Sequence, residues 1–287
     1  MRPDWLLVDG SSLIFRAFYA LPPDKIKAAD GRPVNAVRGS LDNLARLISD
    51  RRPRAVALAT DEDWRPAWRV EALPGYKAHR VAEPVPPLLI PQMPLITALL
   101  EAAGVPVMGV AGYEAEDVVA SLAAKIDGRV VIYSGDRDLF ALVRDPDRVV
   151  LYPERGGLAE ITEAEVERRY GIPGRRYADY AVLRGDPSDG LPGLRGVGDR
   201  QAAALVRRWG GVAELLAGAE LNDTARDYLQ RASRVVMPVT DLRVEVPAPP
   251  STIPADPEKL EKLSRDLRIE PSASRLVTAL KTVASSE

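Results

Sequence analysis

Nine acidic residues fall into five short clusters: Asp9 in LLVDGSS, Asp61 in ALATDED, Glu114, Glu116 and Asp117 in GYEAED, Asp136 and Asp138 in SGDRD, and Asp186 and Asp189 in GDPSD. Most follow an apolar run or open a helical stretch. Carboxylates carried to the ends of core elements repel one another unless solvent or cations intervene, so a convergent set asks for hard divalent metal ions with oxygen ligands. That chemistry is metal-dependent phosphoryl chemistry. Each cluster also has an ordinary explanation: acids at a helix start favoured by its dipole, an Asp capping the next helix, or a proline-containing turn. Five such turns at crevice positions are harder to explain independently. On a helix, Glu114 and Asp117 share one face while Glu116 points elsewhere, where it would act through water.

Two basic segments accompany the acids. In GDPSDGLPGLRGVGDRQAAALVRRWGG, Gly193, Gly196 and Gly198 form a tight connection into a helix rich in Ala, Leu and Val. Glycines let a backbone approach a ligand closely, and a helix N-terminus offers amide donors to phosphate. Packing in a helix–turn–helix would use the same pattern, but Arg195, Arg200, Arg207 and Arg208 favour contact with a DNA backbone. The second segment, about 62–94, mixes Trp64, Arg65, Trp68, Arg69, Tyr76, Lys77, His79 and Arg80, then runs through prolines at 83–94. A connection this long is either functional or mobile.

The elements that must position these residues are readable from hydrophobic pattern. Short apolar runs at 5–8, 55–59, 105–110, 130–133 and 149–152 read as strands buried on both faces. Amphipathic stretches at 34–50, 88–103, 114–126 and 139–143 alternate with them, which predicts a mainly parallel sheet with helices on both faces. Ligands of such sheets sit beyond the carboxyl ends of the strands, where Asp9, Asp61 and Asp136 fall. From about Thr162 onward the pattern becomes short helices, with an extended proline-rich crossing at 247–257, a final helix at 258–267 and a frayed end.

The 287 residues hold one large domain or two smaller ones, and a 46% hydrophobic fraction suffices for a full core. No cysteine is present, which excludes disulfides, thiolate metal sites and a cysteine nucleophile. No apolar run reaches the roughly 18 residues of a membrane span, and no signal-peptide pattern opens the chain. A cytoplasmic protein, nucleoid-associated if it binds DNA, is therefore expected. The net charge of −2 taken alone argues against nucleic acid, but setting aside the nine carboxylates assigned to metal leaves +7.

Taken in order, LLVDGSSLIFRAFYAL, GYKAHR, GYEAED, SGDRDLFAL and LRGDPSDGLPGLRGVGDRQA resemble the 5′-nuclease (flap endonuclease) family, including the 5′-3′ exonuclease domain of bacterial DNA polymerase I. The resemblance covers roughly Trp5 to Arg234. It implies a PIN-like domain over 1–165, with an arch or clamp at about 62–94, and an all-helical domain with a helix–three-turn–helix motif and C-terminal extension over 166–287. It assigns the nine acids to metal binding, with Asp186 and Asp189 in the more distant site. Glu116 stands where many relatives have Asp, and Gly190 where the family often has Asn. Lys77, Arg69 and Arg80 are implied as catalytic cations and Arg16 and Tyr76 as grips on the substrate, Tyr76 by stacking an unpaired base. Gly193, Arg195, Gly196, Val197, Gly198 and Arg200 are assigned to duplex backbone.

The implied activity is structure-specific 5′-3′ exonuclease and 5′-flap endonuclease cleavage of DNA by two Mg²⁺ or Mn²⁺ ions about 3.5–4 Å apart. Expected partners are 5′-ended or branched duplex DNA and separate polymerase and ligase proteins, with no membrane. The chain is expected to be a free-standing monomer working in Okazaki-fragment processing and repair. Two other readings share part of this pattern: a toxin-type ribonuclease with the same crevice acids, and a non-catalytic DNA-binding relative with the same glycine-rich module.

Overall fold

The computed structural model describes residues 2–81 and 85–284. Six strands form one sheet: β1 (Trp5–Asp9), β2 (Ala55–Ala59), β3 (Val107–Met108), β4 (Val130–Tyr133), β5 (Arg148–Glu154) and β6 (Gly157–Ile161). Their order is β3-β2-β1-β4-β5-β6, parallel except for the β5–β6 hairpin. The chain builds outward from β1 on one side and then returns to add β4 on the other. That reversal opens a crevice beyond the carboxyl ends of β1 and β4, where the acids were expected.

Alternation along the strands divides the interior into two apolar layers. Leu7, Ala57, Ile132 and Val150 face one layer; Leu6, Val8, Val56, Leu58, Val131 and Leu151 face the other. The first layer receives α5 (Ala115–Lys125) and the helical part of the chain: α6 (Glu163–Tyr170), α7 (Tyr177–Arg184), α8 (Asp199–Trp209), α9 (Val212–Gly218) and α10 (Asp223–Val236). The second receives α1 (Gly10–Ala20), α2 (Asn35–Arg51), α4 (Met93–Ala103), α11 (Pro257–Asp266) and α12 (Glu270–Ala284). A short α3 (Ala67–Ala72) lies against α10.

Four expectations change. The strand at 105–110 shrinks to the two residues of β3, and the helix at 139–143 becomes a 3₁₀ turn, Asp138–Leu142. A sixth strand, β6, was not anticipated, because GLAEI is short, half exposed and opened by glycine. The helix at 258–267 is also not the final one, and the chain continues beyond it, while residues 285–287 lie outside the described residues. The continuation forms α12, whose Ala273, Leu276, Ala279 and Leu280 are buried against α2 and α4. A buried Leu contributes about 1.5–3 kcal/mol, enough to hold a helix whose many Ser and Thr residues weaken its apolar signal. Residues 247–256 cross in irregular, extended form, as the prolines predict, and Asp256 N donates to Ala102 O at 2.9 Å on α4. Among the described residues no helix is long and apolar enough to cross a membrane.

Candidate active site

Asp9 ends β1 and caps α1, accepting from Ser12 N at 3.1 Å, Ser12 Oγ at 2.6 Å and Ser134 Oγ at 2.6 Å. Ser134 ends the neighbouring strand and also accepts from Asp136 N at 2.8 Å, so one hydroxyl ties the two strand ends together. Asp61 accepts from Ser11 Oγ at 2.5 Å and from Ala115 N, the first amide of α5, at 2.7 Å. Burial and then the charge of Asp61 push the Asp9 carboxyl up to about 6.

Glu116, Asp136 and Asp138 bring one carboxylate oxygen each to within 4.8 Å of one another. Asp138 N donates to Asp136 Oδ1 at 2.9 Å, a turn that holds both acids on the crevice side. Burial, then Asp136, Asp189 and Asp186, raise the Asp138 carboxyl well above the ordinary range. Glu116 is raised mainly by burial, with Arg69 opposing and Asp136 adding to the effect. Asp189 rises to about 6 by burial and then by Asp136. Oxygens this close and this dry fit a hard divalent cation, whose charge would relieve both the desolvation and the repulsion.

At the start of α5, Glu114 and Asp117 share a face as expected, both turned to the Arg69 guanidinium, and it is the reading of Glu116 that changes. Glu116, expected to point elsewhere, is the α5 acid that joins Asp136 and Asp138. Asp117 is fully buried and turned to Arg69 Nη2 at 2.8 Å, Val239 N at 2.9 Å and Glu114 N at 3.3 Å. The Glu114 carboxylate takes Arg69 Nη1, Lys77 Nζ and the Tyr76 hydroxyl, the last at 2.6 Å. Spacing along the helix paired Glu114 with Asp117; burial against α3 and the 75–77 turn set that pair on Arg69 and left Glu116 to the crevice.

Two of the residues expected to grip the substrate, Arg69 and Tyr76, are turned inward instead. Arg69 is wholly buried, with Nη2 also 2.9 Å from Glu116 Oε1. Burial opposes its charge, but Glu116, Tyr76, Asp117 and Glu114 outweigh it and keep the guanidinium protonated. Tyr76 is 2% exposed with its ring in the core, so it does not offer a stacking face. Lys77 is buried beside the acids, and Arg80, more exposed, donates to Ser188 O at 2.9 Å and Asp189 Oδ1 at 3.1 Å. Part of the arch, residues 82–84, lies outside the described residues. Arg16 is exposed on α1.

In the glycine-rich turn, Gly193 is also corrected. Its amide donates to the Tyr228 hydroxyl at 3.0 Å, and a Cβ there would meet Arg184 O at 2.3 Å, so this glycine joins helices rather than facing a ligand. Val197 N donates to Leu194 O within the turn. Gly196 has φ +78° with open space around it, Gly198 caps α8, and Arg195 and Arg200 are exposed. Beside them Arg137, Arg169, Arg184, Arg200 and Arg207 line an open cleft of about 560 Å³ with Tyr170, Tyr180 and Asp199. Tyr180 donates to Asp199 at 2.8 Å and Arg184 Nε lies 2.5 Å from it, which engages the one acid in that cleft.

Sequence reasoning missed Ser11, Ser12 and Ser134, which orient Asp9 and Asp61, and Arg137, which holds Asp186 Oδ2 at 2.9 Å. Each stands within three residues of a chosen acid in the sequence, which is the signal that could have found them.

The match to family models decides the classification. Residues 4–171 match the 5′-3′ exonuclease N-terminal resolvase-like domain, and residues 172–252 match the 5′-3′ exonuclease C-terminal SAM fold. The chain belongs to the 5′-3′ exonuclease family. A 5′-3′ exonuclease of Streptomyces coelicolor is 44% identical over 96% of this chain and 99% of that protein. DNA polymerase I of Mycobacterium bovis is 36% identical over 100% of this chain but only 33% of its own length. A crystal structure of the bacteriophage T5 D15 flap endonuclease with DNA and metal ions shares the fold, with a TM-score of 0.66 at 15% identity over 98% of this chain and 99% of that one. The expected PIN-like domain with a mostly parallel sheet, followed by a helical module, is therefore the observed architecture.

Proposed function

We propose that this family member is a structure-specific 5′-3′ exonuclease and 5′-flap endonuclease that hydrolyses DNA phosphodiesters with Mg²⁺ or Mn²⁺. The observation that carries the reading is the convergence of Glu116, Asp136 and Asp138 at the point where strand order reverses. These three would hold an ion, flanked by Asp9 and Asp61 on one side and by Asp186 and Asp189 on the other. A bound divalent ion supplies a Lewis acid for the phosphoryl oxygen and a water of lowered pKa.

The remaining contributions come from side chains. Lys77, among Glu114, Glu116, Asp136 and Asp189, is a cation that can pass from carboxylate to phosphate as charge develops. Arg80 offers a second positive charge at the rim, beside Asp189. Arg195, Arg200 and the arginine-lined cleft suit a phosphate backbone and carry no base-reading geometry, so recognition would follow DNA shape. A monomer in the cytoplasm, processing replication and repair intermediates with separate polymerase and ligase proteins, is the setting this reading implies.

The test is cleavage of a labelled 5′-flap duplex, a blunt duplex and a single-stranded RNA, each with Mg²⁺, Mn²⁺ or chelator. Metal-dependent cutting near the flap junction is expected. Cleavage of RNA alone, or binding without cleavage, would overturn the proposal. Asp136→Asn should abolish cutting while leaving flap binding in chelator intact.

A further inference from the structure

We propose that Gly190 is a positioning residue: with Gly75 it makes a backbone-to-backbone contact that seats Lys77 against the acids. The inference rests on the nuclease reading above and adds a specific device to it.

Gly190 ends the turn carrying Asp186 and Asp189 with φ +74°. A Cβ placed on it would lie 2.1 Å from Gly75 O, 2.9 Å from Gly75 C and 3.4 Å from Lys77 N. From the other side, a Cβ on Gly75 would lie 3.3 Å from Gly190 O. Next to this contact Lys77 N donates to Asp189 O at 3.0 Å. The base of the arch and the second acid cluster thus meet main chain to main chain. Asparagine also tolerates left-handed backbone but carries a Cβ, so glycine at 190 answers to the close approach and not to φ alone.

Lys77 has φ +46°, a left-handed conformation that a lysine rarely adopts and that persists only where the surroundings over-determine it. Two constraints do so. Its amide is fixed on Asp189 O, and its ammonium is fixed on Glu114 among Glu116, Asp136 and Asp189. With the 75–77 turn as it stands, a Cβ at 190 forces the two turns apart, which moves the Lys77 backbone relative to the acids. Arg80, held on Ser188 O and Asp189 Oδ1, closes over the same turn from outside.

The experiment measures single-turnover cleavage of a 5′-flap duplex in Mg²⁺ with saturating protein. Gly190→Ala should slow cleavage about 10–100-fold, the scale of a misplacement near 1 Å. Gly75→Ala presses the same contact more gently and without left-handed strain, so a smaller loss of a few-fold is expected. Gly156→Ala controls for strain alone: it has φ +92° in the β5–β6 hairpin, with nothing within 4 Å of the added Cβ, and should keep the full rate. Flap affinity in chelator should change by less than about two-fold in all three, since interface contacts are untouched.

The deciding readout is a double-variant cycle. If Gly190 acts through Lys77, adding Gly190→Ala to Lys77→Ala costs nothing beyond Lys77→Ala itself. Additive losses, or a full rate for Gly190→Ala, would overturn the proposal. Should Gly190→Ala fail to fold, the cycle runs with Gly75→Ala, where a full rate or an additive loss overturns it equally. An unaltered protein that cuts no flap would instead sink the nuclease reading, which keeps the two failures apart.

Discussion

Two basic segments were expected to meet DNA, and the fold treats them oppositely. Around Arg69, Tyr76 and Lys77 the chain turns inward, and the guanidinium, phenol and ammonium all end on the acids that open α5. Around Arg195 and Arg200 it turns outward, and both cations stay in solvent beside the arginine-lined cleft. The residue types are alike, so type does not explain the difference. Desolvation does: a buried carboxylate left without a counter-charge costs several kcal/mol, whereas a contact between exposed charges contributes about 1 kcal/mol or less. Glu114 and Asp117 are nearly inaccessible, and α3 lies within reach of them. The nearest cations are therefore drawn to them before any phosphate arrives. Among the described residues, no buried acid is paired with Arg195 or Arg200 to make the same demand.

The comparison breaks most visibly at Arg69. Arg69→Ala should destabilise the protein by about 3–5 kcal/mol, since it strands buried carboxylates without a partner. That corresponds to a fall in Tm on the order of 10 °C. Arg200→Ala should stay within about 0.5 kcal/mol of the parent, as exposed substitutions usually do. Equal melting temperatures for the two variants would mean that the inward network is not structural.

The acids opposite those cations give the next effect. Asp9 and Asp189 have folded pKa values of about 6, above their unfolded value of 3.8. A raised carboxyl favours the folded state below the unfolded pKa, and that contribution is lost as pH climbs through the folded one. The protein in chelator should therefore lose stability between about pH 4 and 6, by roughly 2–3 kcal/mol for each group. Mg²⁺ should restore it at pH 7, because the ion binds the deprotonated carboxylates. A thermal-melt series across that pH range, with and without Mg²⁺, reads both effects. A Tm in chelator that does not fall over that window would show that the cations already balance the acids.

How far this contrast was readable beforehand depended on the interaction concerned. The strand ends bearing Asp9, Asp61 and Asp136 were readable because apolar runs mark buried strands and the crevice follows from their parallel arrangement. The partners of Arg69 and Tyr76 were not. Arg69 and Glu114 are 45 residues apart, and no local pattern says that one will be buried on the other. Helical spacing grouped Glu114 with Asp117 and both do meet one guanidinium, but nothing local said that this pair would take Arg69 and leave Glu116 to join Asp136 and Asp138. α12 escaped for another reason: its buried face is built from Ala and Leu dispersed among serines and threonines, and only its docking on α2 and α4 makes it a helix of the core.

Tyr76→Phe sharpens the inward side. It keeps the buried ring and removes only the hydroxyl that donates to Glu114 at 2.6 Å. A hydrogen bond to a charged group contributes about 1.5–3 kcal/mol, so a loss of stability in that range is expected. Flap affinity should not change, because the ring is not exposed to a base. A variant of unchanged Tm with weakened flap binding would return Tyr76 to a stacking role and move the 75–77 turn to the outward class.

The smallest effect belongs to the outward segment, and it is diagnostic for that reason. Arg195→Ala and Arg200→Ala remove exposed charges from a turn whose fold rests on Gly193, Tyr228 and Leu194 rather than on those arginines. Each should weaken flap binding at low salt and lower the slope of log affinity against log salt by about 1, the signature of one lost phosphate contact. The loss should be the same for unrelated flap sequences, because phosphate contacts carry no base information. A salt slope that stays unchanged would place the DNA elsewhere, and the arginine-lined cleft would then serve some anion other than the duplex backbone.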